Sequence, residues 1–295
     1  MIIKQIGKIK GDQDGAIWNN YLFRFNSVGD CFIYDLNSFN GGDTEEAPEI
    51  AKFSLDRVDE LRPHSNAVVF GKEYYSTDDE FPLLYTNIYN NYSWTDTPMK
   101  GVCAVYRITR KDKEFTSQLV QIIEIGFVED CNYWKSPDVD DVRPYGNFVI
   151  DRENGKYYGF TMRDKSNSTR FFSFDLPRLS DGNPDEKYGI NRVVLNVCDI
   201  KEYFDSEYQH FMQGACFNDG KIYSSEGFTD NVDNPAAIRV IDVKNKKQIG
   251  FVDLYNMGYT VEAEMIDFWD GICYYSDNHG NLYTIEFDNE VIICD

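Results

Sequence analysis

One polar-to-apolar pattern recurs along the chain: a turn of Asn, Asp or Gly, then a short aromatic strand, then a strand that ends apolar–charged–apolar. The turn and aromatic strand occur as Gly71-Lys72-Glu73-Tyr74-Tyr75-Ser76, Gly155-Lys156-Tyr157-Tyr158, Gly220-Lys221-Ile222-Tyr223-Ser224 and Gly271-Ile272-Cys273-Tyr274-Tyr275-Ser276. Asn154, Asp219 and Asp270 precede the last three, and Asn19-Asn20 before Tyr21-Leu22-Phe23 supplies a further copy. Asn-Gly and Asp-Gly between apolar runs predict two-residue hairpins, because both central residues need positive φ. The strand ending is Tyr34-Asp35-Leu36, Tyr106-Arg107-Ile108, Phe174-Asp175-Leu176, Ile241-Asp242-Val243 and Ile285-Glu286-Phe287, five copies in step with the five turns. A fourth strand is expected after most copies, at 49–56, 119–127, 192–197 and 247–254. Leu61–Val69 (LRPHSNAVV) also matches Val142–Ile150 (VRPYGNFVI).

One sheet of four short antiparallel strands cannot bury both faces alone, whereas five stacked around an axis bury every interface. The expected fold is therefore all-β: a five-bladed β-propeller of four-stranded antiparallel blades, one domain over residues 1–295. Blades are expected to start near Gln13, Pro63, Pro144, Met212 and Glu262. Lys4-Gln5-Ile6-Gly7 repeats as Lys247-Gln248-Ile249-Gly250, so the N-terminal strand reads as an outer strand that completes the last blade and removes its open edge. The C-terminal residues 291–295 are the other claimant to that position. An antiparallel sandwich, and a six-bladed ring with a degenerate blade within 88–142, are the alternatives.

The aromatic content of 16% fits wedges filled between blades and excludes a disordered chain. The formal net charge of −21 argues against nucleic acid as a partner, since phosphate binding needs a basic footprint. No window approaches a membrane span. Residues 1–15 show no apolar leader segment, so a cytoplasmic location is expected if the N-terminus is native, and an extracytoplasmic one if a leader was removed. The seven cysteines are odd in number, widely spaced and without a C-x-x-C pair, which reads as small buried core residues rather than disulfides or zinc ligands. No metal, cofactor or partner subunit is expected. The acidic runs at 76–81 and 136–142 lack the glycine-punctuated spacing of a calcium loop and read as solvated.

In such a ring the inner strands start near the axis, on the face that also carries the long loops 87–99, 128–142, 198–211 and 229–236; residues 199–208 read as a short helix. This mouth would gather Gln13 and Asp14, Arg62 and His64, Arg143 and Tyr145, Gln213, and Glu262 and Glu264, with Trp94 and Trp134 from the loops. Arg62, His64, Arg143, Tyr145, Gln213, Glu264, Trp94 and Trp134 are the candidate ligand-binding residues. Amides, carboxylates and aromatic faces suit a sugar, and paired arginines suit a carboxylate or phosphate. Each has a plainer reading as well: arginines bonding carbonyls, a hydrogen-bonded histidine, tryptophans packing loops. The motifs of serine hydrolases, zincins and phosphate loops are absent from the sequence. Asp14 and Glu264, in adjacent blades after closure, are the candidate catalytic pair.

Blades four and five resemble the five-bladed glutamine cyclotransferase-type propellers. Phe211-Met212-Gln213-Gly214-Ala215 is similar to their Phe-Thr-Gln-Gly-Leu strand, and Lys221–Gly227 to their Leu-Tyr-Glu-Ser-Thr-Gly, with the glutamate two residues later at Glu226. Ile238-Arg239-Val240-Ile241-Asp242 resembles Leu-Arg-x-x-Asp, and Glu262–Ile266 resembles Gly-Glu-Gly-Ile-Thr. The runs 62–71 and 80–85 are similar to uncharacterised bacterial propellers. The resemblance implies the fold and offers glutaminyl cyclase-like chemistry as one activity. The expected function is non-catalytic binding of a small polar, glycan or peptide ligand at the axial mouth by a monomer. The alternatives are a propeller enzyme of cyclase-like or glycoside-cleaving type, and an interaction scaffold using the blade sides.

Overall fold

The computed structural model describes residues 1–39, 45–88, 101–125, 147–160, 169–206 and 212–287. Strand β1 (Ile2–Lys8) comes first. Blade one is β2 (Gly15–Trp18), β3 (Tyr21–Phe25), β4 (Asp30–Asp35) and β5 (Ala51–Ser54). Blade two is β6 (Val68–Phe70), β7 (Leu84–Ile88), β8 (Val102–Lys111) and β9 (Glu114–Ile125). Blade three begins with β10 (Phe148–Asp151), β11 (Lys156–Phe160) and β12 (Thr169–Asp175). The chain then makes β13 (Asn183–Asp185) and β14 (Ile190–Leu195) before blade three's outer strand, β15 (Glu202–Ser206). Blade four is β16 (Met212–Asn218), β17 (Lys221–Glu226), β18 (Ala237–Asp242) and β19 (Lys247–Val252). Blade five is β20 (Ala263–Trp269), β21 (Ile272–Asp277) and β22 (Asn281–Glu286), completed by β1.

The inner strands contact one another in a closed cycle, β2 to β6, β10, β16, β20 and back to β2, so the chain is a five-bladed β-propeller. The six-blade alternative falls with that closure. The N-terminal strand closes the ring: β1 pairs antiparallel with β22 from Ile2–Glu286 to Lys8–Asn281. The repeated Lys-Gln-Ile-Gly keeps its structural meaning, since β1 and β19 are both outermost strands and each slips register by one residue within that tetrapeptide. A slip of this kind is a β-bulge, which adds twist at a blade edge.

Five buried apolar clusters lie among the described residues, one in each wedge between neighbouring blades. Between blades one and two, the Phe23 ring sits 5.0 Å from Phe70 and 5.3 Å from Phe81, both edge-on. Burying rings of this size is the main favourable term holding blades together, and the edge-on geometry adds to it. Cys31, Cys103, Cys216 and Cys273 are buried within these wedges, unpaired.

All five apolar–charged–apolar copies fall in a third strand, at its end in β4, β12, β18 and β22, whereas β8 continues past Ile108 to Lys111. The turns Asn19-Asn20, Asp219-Gly220 and Asp270-Gly271 each carry positive φ at both positions, as a two-residue hairpin with right-handed strand twist requires. Four expectations differ from the structure. Asn154-Gly155 ends a four-residue loop, because Asp151 pairs with Lys156 and its Oδ1 accepts the Glu153 and Asn154 amides. Gly71–Ser76 is not a strand: it opens an excursion over 71–83, tied back by Gly71 N to Leu83 O and Leu83 N to Glu73 O, and β7 is Leu84–Ile88 instead. Residues 192–197 do not finish blade three; β14 crosses to pair parallel with β9 of blade two, extending that sheet to six strands with β13 at its edge. The expected helix at 199–208 is strand β15, which takes the vacated place beside β12.

Candidate functional site

The innermost strand of each blade is a sheet edge, so its outward backbone groups need partners from elsewhere. Acidic and amide side chains supply them. Asp14 Oδ2 accepts the Val68 amide of blade two at 2.8 Å, and Asp14 N donates to Ser65 O at 3.1 Å. Asp267 Oδ2 of blade five accepts the Ile17 amide of blade one at 2.8 Å. Asn147 Nδ2 of blade three donates to Met212 O of blade four at 3.0 Å. These bonds stitch the ring at its centre and place the strand starts against one another.

Asp14, Arg24 and Glu264, with Asp267 and Asp277, are charged side chains buried there. Asp14 and Arg24 are 0% exposed and Glu264 is 3% exposed. Arg24 projects from β3 toward blade five, donating Nη2 to Asp277 O at 3.0 Å and Nε to Gly11 O at 3.4 Å. Gly214 of blade four reaches the same place: a Cβ there would stand 3.0 Å from Asp14 Oδ1 and would overlap the Glu264 carbonyl oxygen. Blades one, four and five therefore converge within one contact distance, and the absence of a side chain at Gly214 lets the backbone approach Glu264 and Asp14 this closely. Asp14 Oδ1, Glu264 Oε2 and Arg24 Nη1 are each buried without a hydrogen-bond partner among the described residues.

Burial pushes the Glu264 carboxyl well above the usual range, the Glu262 charge adds to this, and Arg24 opposes it. Burial likewise raises Asp14 well up, against the Val68 and Gly15 amides and the Arg24 charge. Arg24 is lowered by burial, against the nearby acids Glu264, Asp14, Asp277 and Asp12. At the rim, Gln213 Nε2 donates to Glu262 Oε1 and to Gly227 O, and Asn278 Nδ2 donates to Glu262 Oε2 at 2.9 Å. Glu262 is also raised by burial, which these two donors counter. His64, half-buried, is lowered by burial against the charge of Asp12.

Of the candidates from sequence, Asp14, Gln213 and Glu264 lie in this group, and His64 faces Asp12 beside it. Arg62 lies elsewhere. It caps the short helical turn Val58–Leu61 with left-handed backbone, φ 48°, and its exposed side chain lines an open cleft of about 420 Å³ with Ser27, Val28, Asp30, Val58 and Asp59. Arg143, Tyr145, Trp94 and Trp134 lie outside the described residues. Arg24 is the residue that sequence reasoning missed; its signal was a lone cation inside the apolar strand Tyr21–Phe25. Among the described residues no group of three or more His, Cys, Asp and Glu is arranged to hold a metal ion, and no helix is long and apolar enough to cross a membrane.

No protein-family model and no curated protein matches the chain. Among solved structures it is similar to the glutaminyl cyclase of Myxococcus xanthus, with a TM-score of 0.50 and 10% identity over 97% of this chain and 96% of that one. It is also similar to the Cps50 (Swd1) β-propeller domain of Myceliophteria thermophila, TM-score 0.39 and 10% identity, covering 96% and 83%. BamB from Moraxella catarrhalis gives a TM-score of 0.32 at 9% identity, covering 92% and 71%. At these identities the likeness concerns the fold.

Proposed function

We propose that the protein is a non-catalytic propeller that binds a small polar, glycan or peptide ligand at its axial mouth. The observation that carries this reading is that Asp14 Oδ1, Arg24 Nη1 and Glu264 Oε2 are buried without a hydrogen-bond partner among the described residues, on side chains that act on one another electrostatically where blades one, four and five meet. A buried polar atom left unpaired costs about 1–3 kcal/mol, so three together favour an outside partner that completes them. The rim amide Gln213, held by Glu262, is placed to read a ligand entering from the mouth. A thermal-shift screen of small sugars, amines, acids and peptides tests the reading. Hits are expected to raise the melting temperature of the native protein and to lose that effect in Gln213→Ala and Glu264→Gln while keeping it in Arg62→Ala. Hits insensitive to both axial changes would remove the axial site.

A second reading is favoured by the end-to-end likeness to a glutaminyl cyclase and by the meeting of Asp14 with the Glu264 strand. A carboxyl whose pKa burial raises, near a second carboxyl, is the arrangement that acid–base chemistry uses. Turnover of glutaminyl peptides or of arabinan-type glycans, abolished by Glu264→Gln, would establish it; no turnover of either class would dismiss it.

A further inference from the structure

The unpaired atoms at the axis are strongly unequal in kind. Among the described residues five are oxygens, Asp14 Oδ1, Glu264 Oε2, Gln13 Oε1, Asn147 Oδ1 and Asn278 Oδ1, against one nitrogen donor, Arg24 Nη1, and the two carboxyl oxygens become acceptors alone once ionised. The amides cannot turn to correct this. Gln13 Nε2 is committed to Asp12 O at 2.9 Å, and Asn278 Nδ2 to Glu262 Oε2 at 2.9 Å, so each leaves its oxygen over. Charge points the same way: the Arg24 guanidinium sits among Asp12, Asp14, Glu264 and Asp277, with Glu262 acting on Glu264.

Resting on the axial-site reading, we infer that the ligand is an organic ammonium carrying a neutral oxygen next to its charged nitrogen, such as an amino alcohol, amino sugar or amino amide. An ammonium brings three donors to a site short of donors, with positive charge between Asp14 and Glu264. The neighbouring oxygen accepts from Arg24 Nη1. A carboxylate or phosphate would add acceptors and negative charge to a site already rich in both, and a simple diol would leave the acid pair without a counter-charge.

Proton linkage supplies an independent signature. The groups facing the site are Asp12, Asp14 and Arg24 from blade one, His64 from blade two, Arg152 from blade three, which acts on Asp267, and Glu262, Glu264, Asp267 and Asp277 from blade five. Asp14 and Glu264 are held toward the neutral form by burial. An ammonium favours their ionised form, so binding releases protons and strengthens as pH rises from acid toward neutral.

Three probes of matching size decide the matter by calorimetry: ethanolamine, ethylene glycol and glycolate. Ethanolamine is expected to bind at least about tenfold more tightly than either other probe, with a heat that varies with the ionisation enthalpy of the buffer. Glu264→Gln and Asp14→Asn, which turn an acceptor into a donor at nearly constant volume, should each weaken it about tenfold or more. Asp219→Asn, in the exposed turn between β16 and β17, should leave it unchanged and so excludes general attraction by the acidic surface. Glycol or glycolate binding as tightly as ethanolamine, and lost in Glu264→Gln, would overturn the ligand class while sparing the axial site. Ethanolamine binding that is unchanged in Glu264→Gln and Asp14→Asn, or no binding of any probe, would overturn the inference. Circular dichroism and the melting temperature of each variant show whether it has kept its fold.

Discussion

Two arginines of the propeller stand beside buried carboxyl groups, and it treats them differently. In blade four, Arg239 donates Nε to both oxygens of Glu226 at 3.0 and 2.9 Å and Nη1 to Gln248 Oε1 at 2.8 Å, and its guanidinium lies 4.6 Å from the centre of the Phe251 ring. In blade one, Arg24 meets two backbone carbonyls and leaves Nη1 over, with Asp14 and Glu264 close by and each short of a partner. Residue types are alike; Arg24 is the more deeply buried of the two arginines, and saturation differs. A saturated pair holds neighbouring strands in register and has nothing left to offer. An unsaturated group at the meeting of three blades keeps its hydrogen-bonding capacity for something that arrives from outside.

The sharpest way to break the contrast is to strip the saturated pair. Arg239→Ala takes from the buried Glu226 carboxylate the guanidinium that bonds both its oxygens, and should cost about 3 kcal/mol of stability in urea unfolding. Gly214→Ala comes next. Its methyl overlaps the Glu264 carbonyl, so overpacking of about 1–3 kcal/mol is expected, together with loss of binding at the axis because the Glu264 strand is pushed away from Asp14. Glu264→Gln should change stability at neutral pH by about 1 kcal/mol or less, since it removes a carboxyl that the fold itself does not saturate, while abolishing ligand response. Arg62→Ala, on the side cleft, should stay within about 0.5 kcal/mol and leave binding intact.

The pH dependence of stability sharpens the contrast further. For Glu264 and Asp14 the folded state holds its proton more tightly than the unfolded chain does. Their contribution is therefore complete below the ordinary carboxylate range and declines as pH rises through their raised values. Asp30, Asp175 and Asp242 are lowered, so their contribution fades as pH falls instead. Melting curves of Glu264→Gln should consequently fall less steeply than those of the native protein as pH climbs toward neutral.

The ring was legible in the sequence because its parts are local. A two-residue turn needs φ > 0 wherever it occurs, so Asn19-Asn20 and Asp219-Gly220 announce hairpins without reference to anything distant. The closing strand could be read because Lys4–Gly7 copies an outer strand, bulge included. Reading failed where an apolar run had two sheets to choose between. Residues 190–195 have the alternation of an outer strand, but nothing local says that β9 of the preceding blade will take them. Gly71–Tyr75 looked like its siblings, yet the strand that pairs with β6 begins eleven residues after Lys72's neighbour Glu73, at Leu84. The axial site was half legible: strand starts gave Asp14, Gln213 and Glu264, while the repeat of Arg-Pro drew attention to Arg62, whose left-handed backbone turns it into a side cleft. Arg24 went unread because a second strand is not where a ring usually offers a ligand group.

The crossing of β14 onto β9 makes the five blades mechanically unequal. A stack in which each unit touches only its neighbours can lose one unit at a time, but here the segment between β12 and β15 is bonded into the preceding sheet. Pulling blade three away also tears five residue pairings, Asn191–Gln121 to Leu195–Ile125, from blade two. Amide exchange should accordingly report blades two and three opening together as a single cooperative block, leaving blade four as the part of the ring freest to breathe on its own.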